Sequence, residues 1–266
     1  MPNIFWEILT TKDRSAIIER EIRLNRMRYN ALFNIKPNKA STRYRTEEWE
    51  GLTVLLDKTS DVDICVHDKG EWETPQRRKL AERIDSVSDK SNCVFLDIGA
   101  YWGMYGLLAH KRGIEEVHFF EPDDRNRNQL RAQLFLNDLD RSLTVWPYAI
   151  SEQDGQVQFR KSEAVVGGNR GKSRVVEGSE EGAITIECRV LDKLLPLKGR
   201  TIIGKIDVEG HEEQVLRGMK EIIANNVVFF QVEVFEKRLE KVRALTAELG
   251  LRFVDRIDID DYYESA

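Results

Sequence analysis

The sequence predicts an α/β fold with a mostly parallel central sheet and helices on both faces. Three observations carry this. Residues 94–103, Val-Phe-Leu-Asp-Ile-Gly-Ala-Tyr-Trp-Gly, read as a strand ending in Asp97, a turn at Gly99 and Gly103, and the start of a helix. A second apolar run, Val117–Phe120, ends in Glu121, about 20 residues on, where an α/β fold holds the ribose of a nucleotide. From Cys93 onward, apolar runs and helical patterns alternate, which implies a parallel sheet covered on both sides.

The elements follow in order. Residues 12–34 read as a helix, with Ile17, Ile18, Ile22, Leu24, Ala31 and Leu32 near helical spacing, ended by Pro37 and Asn38. Leu52–Leu56 and Val62–Val66 read as the two strands of a small hairpin. Residues 1–72 are therefore expected to be a mainly helical N-terminal extension packed on a core of residues 73–266. Thr74-Pro75 opens a helix to about Val87, with the proline in the first turn, where it is tolerated. Strands are expected at Cys93–Leu96, Val117–Phe120 and Leu143–Trp146, with helices over Trp102–Lys111 and Asp124–Leu136 between them. Gln156–Lys161 and Ala183–Val190 read as strands flanking residues 163–182, whose five glycines and polar character predict a mobile loop. The alternation resumes with strand Thr201–Ile206, helix Glu212–Ala224, strand Val227–Val234, helix Glu236–Gly250 and strand Leu251–Ile257.

Composition narrows the class. The chain has 266 residues, 41% apolar and 33% charged, a globular profile. No apolar run suits a membrane span, and the N-terminus lacks the pattern of a signal peptide. Cys65, Cys93 and Cys188 are scattered and form no CxxC pair, so reduced thiols and a cytoplasmic location are expected. The net charge of −5 argues against a protein that coats nucleic acid. Residues 12–45 nevertheless carry ten Lys/Arg against three Asp/Glu. Such an arm is either a solvated helix face or a contact for phosphate groups.

The turn discriminates between cofactors. A dinucleotide site needs Gly-x-Gly-x-x-Gly, so that backbone can approach a pyrophosphate. Here the middle position is Tyr101, and Asp97 beside the turn would repel phosphate. S-adenosylmethionine carries no phosphate, and its amino group is cationic. Asp97, Gly99, Ala100 and Gly103 are therefore the expected cradle for its methionine end, and Glu121 the anchor for its ribose. Tyr148 and Ala149, after the third strand, lie where adenine would sit, and Trp146 or Tyr148 could stack on it. Asn126 and Asn137 read as helix-surface or capping residues, with reach to the adenine side as the alternative. The simpler alternative is that Asp97 and Glu121 only cap helices.

Asp207, Glu209, His211 and Glu212 cluster at the end of a later strand, where open α/β sheets bind ligands. Asp207 is the expected base or substrate contact, assisted by His211, which titrates in a useful range. An oxygen-rich set of this kind suits Mg²⁺, Ca²⁺ or Mn²⁺. Strand neighbours point to opposite faces, however, and no metal is expected. Glu209 is a candidate for substrate contact or for accepting backbone N–H groups at its turn. Glu233 is a partner for the strand residue Lys205 or a second acid of the site. Arg170, Lys172 and Arg174 could close over an anionic acceptor, and Trp72 and Glu73 could cover the cofactor.

These motifs resemble the FkbM family of methyltransferases. The likeness rests on Leu-Asp-Ile-Gly-Ala (96–100), Phe-Glu-Pro (120–122), Leu-Asp-Lys-Leu-Leu (191–195), Lys-Ile-Asp-Val-Glu-Gly-His-Glu (205–212), Val215-Leu216-x-Gly218 and the strand bearing Glu233. It covers about residues 93–235. It implies a class I, Rossmann-like methyltransferase that uses S-adenosylmethionine to methylate hydroxyls, often on sugars or secondary metabolites. Two positions depart from the family pattern: His211 stands where alanine is usual, and Tyr101 where asparagine is common. The expected acceptor is a small molecule, either a saccharide or an anionic or lipid-linked metabolite. N- or carboxyl-methylation is the alternative within enzymes, and a non-catalytic protein recruiting a partner through its basic arm is the alternative outside them. The helix at 12–34 could serve a homodimer.

Overall fold

The expected alternation is realised as a seven-stranded sheet. The computed structural model describes residues 43–162, 169–176, 178 and 180–266. The helix expected at 12–34 and the basic arm lie outside the described residues apart from the arm's last positions. Residues Tyr44–Ala266 form a compact unit.

That unit opens with a hairpin, β1 (Tyr44–Trp49) paired antiparallel with β2 (Leu52–Asp57). The hairpin expected between Leu52–Leu56 and Val62–Val66 is thus displaced, because Asp61–Lys69 is a helix, α1. Its acids Asp61 and Asp63 sit in the first turn, Val62 and Val66 share a buried face, and Gly70 closes it with a left-handed cap. Helix α2 (Thr74–Asp85) carries Pro75 in its first turn, as expected.

The core alternation comprises β3 (Cys93–Ile98), α3 (Met104–Lys111), β4 (Glu116–Phe120), α4 (Asp124–Leu136) and β5 (Thr144–Trp146). After an insertion it continues with β10 (Thr201–Ile206), α6 (Glu212–Arg217), α7 (Lys220–Asn225), β11 (Val227–Glu233), α8 (Leu239–Glu248), β12 (Leu251–Ile257) and β13 (Asp260–Ser265). The sheet order is β12-β13-β11-β10-β3-β4-β5. The four contacts among β11, β10, β3, β4 and β5 are parallel, whereas β13 runs antiparallel to both neighbours.

Three details depart from expectation. The single helix expected over Glu212–Ala224 is broken at Gly218, where a Cβ would lie 2.2 Å from the Ser151 carbonyl oxygen. Strand β13, which lies beyond the last strand expected from the sequence, sits inside the sheet with Asp260 and Asp261 buried. Part of the segment expected to be a mobile loop is ordered: Arg170–Lys172 forms a 3₁₀ turn and Arg174–Val176 a strand, β8. It joins β6 (Ala149–Ile150), β7 (Gly155–Arg160) and β9 (Ile184–Arg189) in a second sheet, order β6-β9-β7-β8. The short helix α5 (Leu191–Leu194) leads from it towards β10.

The two faces of the central sheet bury separate cores, as pleated strands require. Phe95, Phe119 and Ile203 pack with the hairpin and α1–α4 on one side. Val94, Leu96, Ile98 and Ile206 pack with α6–α8 on the other. The hairpin is also held by polar groups. Gln129, Gln133 and Asn137, spaced four apart on one face of α4 and its cap, bond the backbone of Thr53 and Leu55 along the open edge of β2.

Candidate active site

The site lies where β3 and β10 end side by side, at the carboxyl edge expected for an open α/β sheet. The turn after β3 is tightly built. A Cβ on Gly99 would fall 1.7 Å from the Asp207 carbonyl oxygen, so only glycine lets the two strand ends approach. The N–H groups of Gly99 and Ala100 both donate to the Phe120 carbonyl, tying the turn to β4. Tyr101 is left-handed at φ 52°. Its N–H donates to Glu121 at 2.7 Å and its hydroxyl to Asp63 at 2.8 Å, so the strained residue is pinned at both ends.

Two adjacent lobes open along this edge, with Gly99, Tyr101, Gly171 and Asp207 in the walls of both. The wider lobe, about 250 Å³, is strongly acidic: Glu73, Asp97, Asp207, Glu209 and Glu233 line it against Lys172 and Lys205. The narrower lobe, about 40 Å³, has largely apolar walls that include Phe120, Tyr148, Ala149 and Phe159, with Glu121 between them.

Asp97 is almost wholly buried and accepts the N–H of Gly106 at 2.8 Å, so it does cap α3 while also lining the wider lobe. Burial pushes its carboxyl up to about 7, against the pull of that hydrogen bond. Glu121 accepts from Tyr101 with one oxygen and from Asp123 with the other, and burial pushes it up to about 8. Each oxygen keeps acceptor capacity beyond its single backbone bond. A cationic, phosphate-free cofactor with a ribose diol fits this donor set, and a pyrophosphate does not.

Lys205 is fully buried in β10 and ringed by acids, 3.1 Å from Asp260, 3.5 Å from Glu73 and 3.5 Å from Asp207. Its ion pairs do not include Glu233, the partner the sequence suggested. Burial disfavours its ammonium, but these carboxylates hold its pKa well above the usual lysine value. Burial works against Glu73 too, yet Lys205 and the Tyr105 hydroxyl keep it below the ordinary range.

The Asp207, Glu209 and Glu233 carboxylates come within 4.8 Å of one another, a set that could hold a metal ion. The expectation that alternation would separate them fails because β10 ends at Ile206 and Glu209 turns back at φ 53°. Burial and the neighbouring Glu233 raise Asp207 well above the normal carboxyl range, with Lys205 opposing. Burial likewise pushes Glu233 up to about 7. His211 is the residue before α6, its Nε2 lies 3.1 Å from the Ser151 hydroxyl, and burial with Arg238 pushes it down to about 4. At neutral pH it is a neutral imidazole. Glu212, not Glu209, accepts the backbone N–H of the turn, from Gly210 at 2.6 Å.

Of the expected site residues, Asp97, Gly99, Ala100, Glu121, Tyr148, Ala149, Asp207, Glu209 and Glu233 each line one lobe or the other. Trp72 and Glu73 also line the wider lobe. Trp146 instead stacks on Phe120 at an 8° interplanar angle. Two assignments are corrected. Gly103 lines neither lobe; a Cβ there would meet Leu130 at 2.3 Å, so it serves the packing of α3 on α4. Arg170 does not face an acceptor. It is buried beside Asp57 (3.6 Å) and Asp63 (3.5 Å), with its guanidinium over the Tyr101 ring. Arg174 lines the narrow lobe, as does Asn126, which is buried rather than on the surface. Sequence reasoning missed Asp260 and Tyr105 around Lys205, and Asp63 behind Tyr101.

This sheet order, with an antiparallel strand inserted beside β11 and an acidic cleft at the carboxyl ends, defines a class I, Rossmann-like methyltransferase fold. A family model described as the methyltransferase FkbM domain matches residues 97–253, more than half of the chain, and the chain belongs to that family. It is a methyltransferase, and S-adenosylmethionine is the cofactor of its fold. Among solved structures it is similar to methyltransferase FkbM from Methylobacillus flagellatus KT, at 14% identity over 78% of this chain and 61% of that one, with a TM-score of 0.44. It is also similar to ribosomal protein L11 methylase from Lactobacillus delbrueckii subsp. bulgaricus, at 12% identity over 71% and 77%, TM-score 0.43. A third is M. jannaschii TYW2 in complex with AdoMet, at 12% identity over 87% and 90%, TM-score 0.41. No curated protein matches the chain significantly. Among the described residues, no helix is long and apolar enough to cross a membrane.

Proposed function

We propose that the protein methylates a hydroxyl group of a small acceptor, with Asp207 as the base. The observation that carries this reading is the meeting of Asp207 and Glu233 in the cleft wall, where burial raises Asp207 well above the ordinary carboxyl range and pushes Glu233 up to about 7. A carboxylate raised in this way can take a hydroxyl proton near neutral pH. S-adenosylmethionine, when bound, supplies an electrophilic methyl group on a sulfonium. Asp97 and Glu73 offer carboxylates to a cationic methionine end, and Glu121 offers oxygens to the ribose hydroxyls. Tyr148 and Ala149 form part of the adenine wall. Lys205 keeps Glu73 and Asp207 in fixed positions and limits the build-up of negative charge.

Most of the rate gain in such an in-line transfer comes from positioning, and the base adds about 10²–10⁴-fold. His211, neutral and bonded to Ser151, is suited to orienting an acceptor rather than to taking its proton. A saccharide is the acceptor class this reading favours, and a cytoplasmic location remains part of it. The test is a methyl-transfer assay with labelled S-adenosylmethionine over a panel of hydroxyl, amine and carboxylate acceptors. Label on hydroxyl acceptors supports the reading; label only on amines or carboxylates rejects O-methylation.

A further inference from the structure

A groove of about 1030 Å³ opens beside the donor cleft, and its charge points to the acceptor. Glu209 lines both the groove and the wider lobe, and His211 lines both the groove and the narrow lobe. A molecule lying in the groove therefore meets Glu209, the carboxylate the groove shares with the wider lobe. The volume is at the upper limit for a small-molecule site, which suits an extended acceptor.

The groove carries Lys172, Arg174, Lys237 and Arg238 against the carboxylates of Glu180 and Glu209. The arginines are engaged, Arg174 with Glu180 at 3.3 Å and Arg238 with Glu213 at 3.4 Å. Lys172 and Lys237 are exposed and make no ion pair among the described residues. Between the charges lie Gln158 and Gln214 for hydroxyls, and Phe235 for the apolar face of a sugar ring. Among the described residues, the Gln214 Oε1 atom has no hydrogen-bond donor.

We infer that the acceptor is a phosphorylated saccharide whose phosphate is held by Lys172 and Lys237 while its hydroxyl faces Asp207. This rests on the methyltransferase reading above and adds the acceptor's charge to it. Lysine ammonium groups suit phosphate as point charges, and a doubly charged group gains most from two of them.

The experiment is calorimetric titration of the full chain with glucose 1-phosphate, glucuronate and glucose, alongside S-adenosylhomocysteine. Glucose 1-phosphate should bind at least about tenfold more tightly than glucose, with a gap that narrows as salt rises. The Lys172→Ala/Lys237→Ala double variant should lose that preference; both lysines are exposed, so the variant should fold, and thermal unfolding checks that it does. Equal binding of the three sugars, no detectable binding of any, tighter binding of glucuronate, or an unchanged preference in the folded double variant would overturn the inference. S-adenosylhomocysteine separates the two readings. Its binding alongside a failed sugar result rejects the phosphate site alone, whereas its failure to bind rejects the methyltransferase reading.

Discussion

The Lys205 ammonium lies 3.5 Å from the Asp207 carboxylate, with Lys205 near the end of β10 and Asp207 just beyond the strand, where it meets the donor cleft. A fully buried lysine in a central strand is costly unless paired. Here it is the hub that lets Glu73, Asp207 and Asp260 occupy one small volume. Structure and chemistry are therefore linked at this strand end.

Replacing Lys205 by methionine should leave those carboxylates uncompensated. A loss of about 3–5 kcal/mol is expected from breaking such a buried set. Chemical denaturation of Lys205→Met measures it, and a stability equal to wild type would show that the network is not structural. Asp260→Asn should cost less, because Glu73 and Asp207 remain beside the ammonium.

Asp207→Asn preserves shape while removing the base. Turnover should fall by about 10²–10⁴-fold with little change in donor affinity. Steady-state kinetics paired with donor binding separates the two quantities. A variant that retains turnover would remove Asp207 from proton transfer.

The base acts when ionised, and burial with Glu233 raises Asp207 well above the ordinary carboxyl range, so turnover should rise with pH above that range and then level off. Glu233 is pushed up to about 7, and its charge helps to raise Asp207. Glu233→Gln should therefore move the rising limb to lower pH. A pH–rate profile whose midpoint stays fixed or moves upward in this variant would contradict the coupling.

Donor binding should also depend on pH. In the free protein Asp97 is pushed up to about 7, and contact with a cationic methionine end favours its charged form. Binding near neutrality should release protons and tighten as pH rises. Taken alone, protonated Asp97 stabilises the free fold. That contribution is complete below the unfolded carboxyl pKa of about 4 and is lost as pH rises through about 7. Calorimetry in buffers of different ionisation enthalpy reads the protons released, and proton uptake would refute this role for Asp97.

Arg170 anchors the edge that walls the narrow lobe. Its partners Asp57 and Asp63 are wholly buried, so Arg170→Ala should destabilise the protein by about 3–5 kcal/mol. It should also weaken donor binding, because Gly171, Ser173 and Arg174 follow it directly. Urea titration and donor calorimetry on the same variant test both effects.

The donor half of the cleft was legible because its signals are local. Asp97 and Glu121 each end an apolar run, and strand ends in a parallel sheet define the ligand edge. Gly103 misled because spacing does not distinguish a glycine that admits a ligand from one that admits Leu130. Arg170 sits in a polar, glycine-rich stretch that reads as solvated; its acid partners lie more than a hundred residues earlier, and only the tertiary fold brings them together. Asp260 carries a similar lesson. The run Asp260–Ser265, with three acids and no strand expected of it, enters the sheet as β13, where Lys205 supplies the countercharge to Asp260. The carboxylate cluster was partly legible, but the backbone reversal at Glu209 that unites it is conformational and leaves no mark in periodicity.

The most direct test of the central claim is equilibrium binding of S-adenosylmethionine to wild type, Asp97→Ala and Glu121→Ala. Wild type should bind with micromolar affinity, and each substitution should weaken binding by at least about tenfold. No binding by wild type, or full affinity in both folded variants, would contradict the assignment of this cleft to the methyl donor.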